Sequence, residues 1–435
     1  MAKGMKWMNK NNAKQKTIVF IMPRLPFPPT TGRKTSLYHY CRILSEKLHY
    51  RLVVAAFLEN GDDVNDKPDF IDKLVVLEKP SNVTKIRQVF LHSVIRRKFP
   101  MQVSLYWNKR AKQQIDELIK EEDADIAIAD MIRCTEYIKD SSCFRIADLD
   151  DMLSLRYKRQ IESDMENINP YGQYISKTPK FMRQILLWKP VKLWVTKNEV
   201  ALLEKYEKTV GNIFDATIFV AEKECENLNT ALGKEVAFAV PNGVDINYFT
   251  RQTPLTTNHT IGFLGALDVA HNEQAVIHFV KNILPLIKQE VPDVKFMVIG
   301  GGGEKLRALE SESVQFMGRV EDVRESLKQC RVFVCPMTFG SGIKTKLLEA
   351  MSYEMPIVTT TIGAENIDAE NEKDWIVAKN NTDFSRSVVY LLKDYKVATK
   401  MGENGRDFVK EKFSWTAAER GFERVFTHIK HFSIK

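Results

Sequence analysis

No apolar run in this 435-residue chain reaches the roughly 18 residues needed to cross a bilayer as a helix. The N-terminal stretch MAKGMKWMNKNNAKQK is basic and polar, and no apolar segment with a small-residue cleavage site follows it, so no signal peptide is expected. Cysteine is sparse: Cys41, Cys134, Cys143, Cys225, Cys330 and Cys335 lie far apart, and none forms a C-x-x-C pair. That argues against a disulfide framework or a zinc site and points to reduced, buried thiols in a cytosolic protein. The eight histidines are scattered, with no H-E-x-x-H spacing and no Ser-His-Asp arrangement, so no metal or other cofactor is expected. With 20 glycines and 16 prolines the chain has too little of either for a fibrous or disordered class. A strong excess of one charge is also lacking. The 64 basic and 56 acidic residues leave a net +8, which suits an anionic small ligand or an acidic membrane surface and does not by itself argue for nucleic acid.

What is present is alternation. A hydrophobic content of 44% with 28% charged residues is that of a soluble globular protein, and the length is too great for one core, so two domains of roughly 200 residues each are expected. TIVFIM (17–22), RLVVAAF (51–57), KLVVLE (73–78), DIAIAD (125–130), ATIFVA (216–221) and VAFAVP (236–241) are short and almost continuously apolar, as parallel strands covered on both faces are. Helical stretches at 34–48 and 108–122 fall between them. The polar stretch 242–260 reads as a linker, after which TIGFLGAL, VKFMVIGGGG, VQFMGRV, RVFVCPM, PIVTTT and DWIVAK form a second strand series, with a helix over 272–290. The expected fold is α/β, with two Rossmann-like doubly wound parallel-sheet domains and a cleft between them. The expected divisions are a basic extension (1–16), a first domain (17–245), a second domain (246–415) and a C-terminal helix (416–435) that packs back on the first domain, with Ser414 as a helix N-cap. The segment 177–197 mixes Lys and Arg with Trp188 and Trp194; it reads either as a helix packed on its own domain or as an interfacial helix for anionic headgroups.

Ligands of doubly wound sheets sit at the carboxyl ends of strands. After the first strand, PRLPFPPTTGRKT brings Gly32 and Arg33 to a helix start, without dinucleotide or P-loop spacing. After VKFMVI comes GGGGEKL (300–306), including Gly301 and Gly302; four consecutive glycines cost conformational entropy, which suggests close backbone approach to a ligand or to the other domain. After RVFVCP comes FGSGIKTKLLEAM (339–351). Gly340 and Gly342 permit tight geometry, and a helix starting near Ile343 and Thr345 aims its N–H groups and partial positive charge at an anion. Lys344 and Lys346 add full charges. Glu349 sits among Leu347, Leu348, Ala350 and Met351, and a carboxylate on so apolar a face needs a hydroxyl pair or an ion pair. The acidic DLDDM (148–152) reads as capping or ion-pairing rather than a cation site.

In order, PNGVD with a following YF, FLGALD…N…AVIHFV, VIGGGGEKL, GRVEDV, GSGIKTKLLEAM, PIVTTTIGAENI and FSW resemble the donor-binding domain of GT-B glycosyltransferases of the retaining family four, the glycosyl transferases group 1. The loop resembles that of a subgroup carrying GxGxKxKxLEAM. The resemblance covers about residues 236–420 and extends weakly into the first domain through PRLPFPPTTGRKT and NIFDATIFVAEKE. It implies metal-independent, retaining transfer of a sugar from a nucleotide-sugar to a saccharide or lipid-linked saccharide, in surface polysaccharide or glycoconjugate biosynthesis. Cysteine usage, net charge and the basic, tryptophan-bearing segment 177–197 set the expected place of the protein as cytoplasmic, peripheral at the inner face of the membrane, with no nucleic-acid partner. It assigns the ribose hydroxyls to Glu349 and the diphosphate to the loop from Gly340 to Lys346. The base would lie beside Arg319 and Val320, and Gly32, Gly265, Asn272, Gly301 and Gly302 would line the donor. Two departures stand out: Ser341 replaces the first glutamate of the family's E-x7-E pair, and Ala266 and Asn272 stand where an Arg and Lys pair is familiar. Lys344 and Lys346 are therefore expected to replace that cationic clamp. Asp130 and Arg133, in place of a first-domain histidine, are acceptor-side candidates with Arg33. The alternative raised by these departures is a catalytically silent GT-B subunit that stabilises a partner transferase.

Overall fold

The structure, a computed structural model, describes residues 14–29, 32–59, 61–163, 183–184, 187–340 and 342–432. They form two compact units. One comprises the described residues up to 149, those of 210–217 and those from 427 onward; the other comprises those within 150–209 and 218–426.

The first sheet contains β1 (Thr17–Met22), β2 (Arg51–Ala56), β3 (Lys73–Val76), β4 (Ile126–Asp130), β5 (Phe144–Asp150), β6 (Ala216–Phe219) and β7 (Ala237–Ala239), in the order β3-β2-β1-β4-β5-β6-β7. Strand β1 is parallel to both neighbours, with Ile18 opposite Leu52 on one side and Ile126 on the other. All six of its residues are buried, which is why its sequence carries no polar alternation. Strand β5, FRIADLD, is missing from the sequence-based set. Its interior charges break the apolar run, and only tertiary partners neutralise them: Arg145 pairs with Asp215, and Asp148 with Arg33. The DLDDM stretch thus ends a strand, and Asp151 pairs with Arg156 beyond it.

The second sheet contains β8 (Thr260–Leu264), β9 (Lys295–Ile299), β10 (Val314–Gly318), β11 (Val332–Cys335), β12 (Ile357–Thr360) and β13 (Ile376–Ala378), in the order β10-β9-β8-β11-β12-β13. Every neighbouring pair is parallel. Fully buried Phe263, Phe279, Phe296, Phe333 and Phe384 centre its core, with the Phe279 and Phe296 rings 4.4 Å apart. Two helices close the chain, Tyr395–Lys412 and Trp415–Phe432, and Ser414 Oγ accepts the Ala417 amide at 3.2 Å as the N-cap of the second.

All six cysteines are free, and all but Cys143 are buried. Among the described residues no helix is long and apolar enough to cross a membrane. Of the basic tryptophan segment, 177–182 and 185–186 lie outside the described residues; Trp188 and Trp194 are exposed while Lys192 is buried.

Candidate functional site

Strands β8 and β11 are neighbours in the sheet, yet the strands that follow them lie on opposite sides. Their carboxyl-end loops therefore diverge and open a crevice, where open α/β sheets place their ligands. From β8 the chain passes Gly265 into the helix Ala270–His278; from β11 it passes Gly340 and Gly342 into the helix Thr345–Ser352. A Cβ at Gly265 would stand 2.9 Å from Asn272 Cγ and 3.0 Å from Lys346 Nζ, so only glycine lets these loops meet. Asn272 Nδ2 donates to Ala266 O at 2.9 Å, which turns its carbonyl towards Lys346 Nζ, 2.5 Å away. The same ammonium lies 4.4 Å over the Phe263 ring.

Lys344, 6% exposed, donates from Nζ to Gly342 O at 2.6 Å. Burial lowers the pKa of both lysines, offset chiefly by Glu365 for Lys344 and by Cys335 for Lys346. Among the described residues neither lysine has a carboxylate within salt-bridge distance. Lys344 also occupies the N-cap of the helix Thr345–Ser352, and its side chain accepts no hydrogen bond from the first turn. Two ammonium groups, neither ion-paired among the described residues, thus converge with a helix N-terminus that has no side-chain cap, an arrangement suited to a diphosphate.

Glu349 is the fifth residue of that helix. Burial pushes its carboxyl up to about 7, with Lys346 pulling the other way, and it has no side-chain hydrogen bond among the described residues. A carboxyl so placed can accept from a pair of hydroxyls and ionise as they arrive.

His271 was not singled out in the sequence, although it adjoins Asn272. Burial, Lys346 and Lys344 together lower its pKa to about 4, so it faces the crevice neutral at pH 7. Removing the Lys346 charge should raise that value towards 6.5. Imidazole proton NMR across a pH series on wild type and Lys346→Met tests this, and an unmoved titration would separate the two side chains.

The glycine run has a neighbour in its own unit. Gly300 has φ +148°, and a Cβ there would lie 2.0 Å from Gly265 O; at Gly302, φ +80°, it would lie 2.3 Å from the Asp268 carboxyl. The Gly303 amide donates to Asp268 Oδ1 at 3.2 Å. The run therefore lets the loop after β9 close on the loop after β8. A Cβ at Gly301 would lie 3.4 Å from Arg319 Cβ; Arg319 is exposed and Val320 half-buried. Ile343 packs against the core and Thr345 is exposed. Ser341 lies outside the described residues. Glu365, which faces Lys344 electrostatically, is ion-paired with Arg159, a partnership that nothing in the sequence announces.

In the first unit Gly32 is exposed at the start of the helix Gly32–Arg42. Arg33 Nη2 donates to Asp130 Oδ1 at 2.5 Å and to Asp148 Oδ2 at 2.7 Å, and all three side chains are buried. Arg33 and Asp130 thus meet at the carboxyl ends of β1 and β4 as parts of one ion cluster. Arg133 instead stacks on Tyr106 at 5.2 Å.

Comparisons with known proteins bear on this geometry. The family model described as glycosyl transferases group 1 matches residues 258–394. The chain is 22% identical over 241 residues to an uncharacterized 44.6 kDa protein in the cps region of Klebsiella pneumoniae, covering 52% of this chain and 59% of that protein. It is 26% identical over 231 residues to a GDP-mannose-dependent monoacylated alpha-(1-6)-phosphatidylinositol monomannoside mannosyltransferase of Corynebacterium glutamicum, covering 48% and 61%. The chain therefore spans a little over half the length of these relatives. Among solved structures it superposes on sucrose-phosphate synthase from Thermosynechococcus elongatus with a TM-score of 0.64 at 12% identity, over 97% of this chain and 100% of that one. Anabaena HepE in complex with UDP gives 0.60 at 12% identity, over 94% and 99%. At such identities the likeness shows the fold, two Rossmann-like parallel sheets of the GT-B kind.

Proposed function

We propose, with residues 258–394 matching glycosyl transferases group 1 in a chain of GT-B fold, that this protein is a retaining, metal-independent glycosyltransferase. The donor is a nucleotide-diphosphate sugar, and the acceptor is a saccharide or lipid-linked saccharide of polysaccharide or glycolipid biosynthesis. One observation carries the reading: buried Lys344, half-buried Lys346 and the N-terminus of the helix Thr345–Ser352 meet in a crevice where, among the described residues, neither ammonium is ion-paired with a carboxylate. A diphosphate supplies the missing charge, and the ribose hydroxyls give the Glu349 carboxylate its partners.

In this reading the bond from the anomeric carbon to the diphosphate oxygen breaks, and its electron pair leaves with the diphosphate. The lysines and helix amides stabilise that growing charge, the task a metal performs elsewhere. The acceptor oxygen bonds to the anomeric carbon on the face just vacated, and its proton passes to the departing phosphate oxygen. The silent-subunit alternative is not favoured, because both cations at the candidate site are positioned by hydrogen bonds, Lys344 to Gly342 O and Lys346 to Asn272 Oδ1.

The test is a melting-temperature screen with UDP, GDP, ADP and dTDP, paired with assays for nucleotide diphosphate release from the matching sugar nucleotides. The Anabaena structure with UDP and the GDP-mannose-dependent relative make UDP and GDP the first choices. One diphosphate should raise the melting temperature more than its monophosphate, and its sugar conjugate should be consumed. No shift and no release with any of them defeats the proposal.

A further inference from the structure

We propose that the helical segment over 82–98, in the first unit, is a docking face for an anionic lipid bilayer. The helix Asn82–Gln88 continues into a wider π-helical turn, Val89–Ile95. Val83, Ile86, Phe90 and Val94 recur at spacings of three and four and stand 77%, 62%, 60% and 43% exposed; Ile95 beside them is 59% exposed. Of the sixteen large hydrophobic side chains exposed among the described residues, five fall in these 13 positions, a density that scattered surface exposure does not produce.

The outward orientation is fixed from behind. Ser93 is buried with its Oγ 2.8 Å from Ser104 Oγ, and the His92 ring lies 5.6 Å from that of Phe99. Ser81 caps the start, its Oγ accepting the Thr84 amide at 3.2 Å. The apolar stripe is thus the free side of an anchored helix.

Its charge selects the occupant. Between Lys79 and Lys98 the sequence has Lys79, Lys85, Arg87, Arg96, Arg97 and Lys98 and no aspartate or glutamate. Arg87, Arg96, Arg97 and Lys98 are all exposed. An apolar stripe with an all-basic rim matches acyl chains beneath anionic headgroups. Trp194, on another helix, Lys189–Ile213, and Leu187 and Trp188 just before it are also exposed beside Lys189 and Lys197, but they are three large apolar side chains against the five over 83–95. The contact extends the proposal of a lipid-linked acceptor, and its test does not depend on the donor site.

The experiment is flotation of the full chain with phosphatidylcholine vesicles, with and without phosphatidylglycerol. The chain should float only with the anionic vesicles, and less as salt rises. The triple variant Arg96→Gln/Arg97→Gln/Lys98→Gln should bind about a hundredfold more weakly, at about fivefold per basic residue near such a surface. Ile86→Ser/Phe90→Ser should lose flotation while keeping the wild-type melting temperature and its shift with nucleotide. Should the serine variant misfold, the glutamine variant, altered only at exposed positions, still decides. Equal flotation of wild type and both variants overturns the proposal, as does loss of flotation in Trp188→Ala/Trp194→Ala but in neither of them. If the vesicle-free chain is a dimer that Ile86→Ser/Phe90→Ser converts to monomer, the face belongs to a second copy instead. An intact nucleotide shift without flotation would leave the transferase reading standing and remove this one alone.

Discussion

Lys346→Ala is expected to lower kcat/KM for sugar-nucleotide turnover by about tenfold to a hundredfold, the worth of one charged hydrogen bond of about 1.5–3 kcal/mol in a water-poor site. The loss should fall mainly on kcat, because negative charge on the leaving diphosphate grows in the transition state. The variant should nevertheless fold. Lys346 is a half-buried ammonium with a lowered pKa, and removing it relieves desolvation while leaving Asn272 Oδ1 without its donor, two opposed effects. Arginine should not rescue activity: Lys346 Nζ is held between Asn272 Oδ1 at 2.5 Å and the Phe263 ring at 4.4 Å, a place fitted to a compact ammonium rather than a planar guanidinium. Unchanged kcat/KM in the alanine variant would remove Lys346 from the site.

Glu349→Ala should weaken nucleotide binding by about tenfold to a hundredfold, on the same hydrogen-bond scale. Glu349→Gln separates binding from stability through pH. The carboxyl titrates near 4.5 when unfolded and at about 7 when folded. Between those values the folded chain holds a proton that the unfolded chain has released, so wild-type stability falls as pH rises through that window. The fall is on the order of 3 kcal/mol and is complete above pH 7. Glutamine never ionises. The melting temperatures of the two ligand-free proteins should therefore coincide near pH 4, and the variant should be the more stable at pH 8. Nucleotide affinity runs the opposite way. Ribose hydroxyls favour the carboxylate, so wild-type affinity should climb as pH rises through about 7, and the glutamine profile should be flat and lower. Parallel melting curves and parallel affinity profiles for the two proteins would show that Glu349 is a solvated helix glutamate after all.

Much of the fold was legible because parallel strands covered on both faces leave an unbroken apolar trace. The residues 17–22 read as a strand are the residues of β1, and the second-sheet runs likewise contain β8 to β13. Strand β5 escaped because Arg145 and Asp148 lie inside it, and their partners Asp215 and Arg33 are 70 and 115 residues away. The glycine run was legible as a close approach, though not what it approaches: the loop after β8, in the same unit.

The sequence by itself determined the strand-and-helix alternation, the glycines of the donor loop, and the presence of Lys344, Lys346 and Glu349 on one short stretch. Those features follow from local periodicity and from residues whose backbone freedom or charge is their own. Only the tertiary structure decided what surrounds them. It turned the Asn272 carbonyl to Lys346, buried Lys344 and half-buried Lys346 with neither ion-paired among the described residues, raised the Glu349 carboxyl and held His271 neutral. It also left an apolar, basic-rimmed helix face exposed over 83–95. Burial and electrostatic environment come from atoms distant in the chain, and no local reading of residue types contains them.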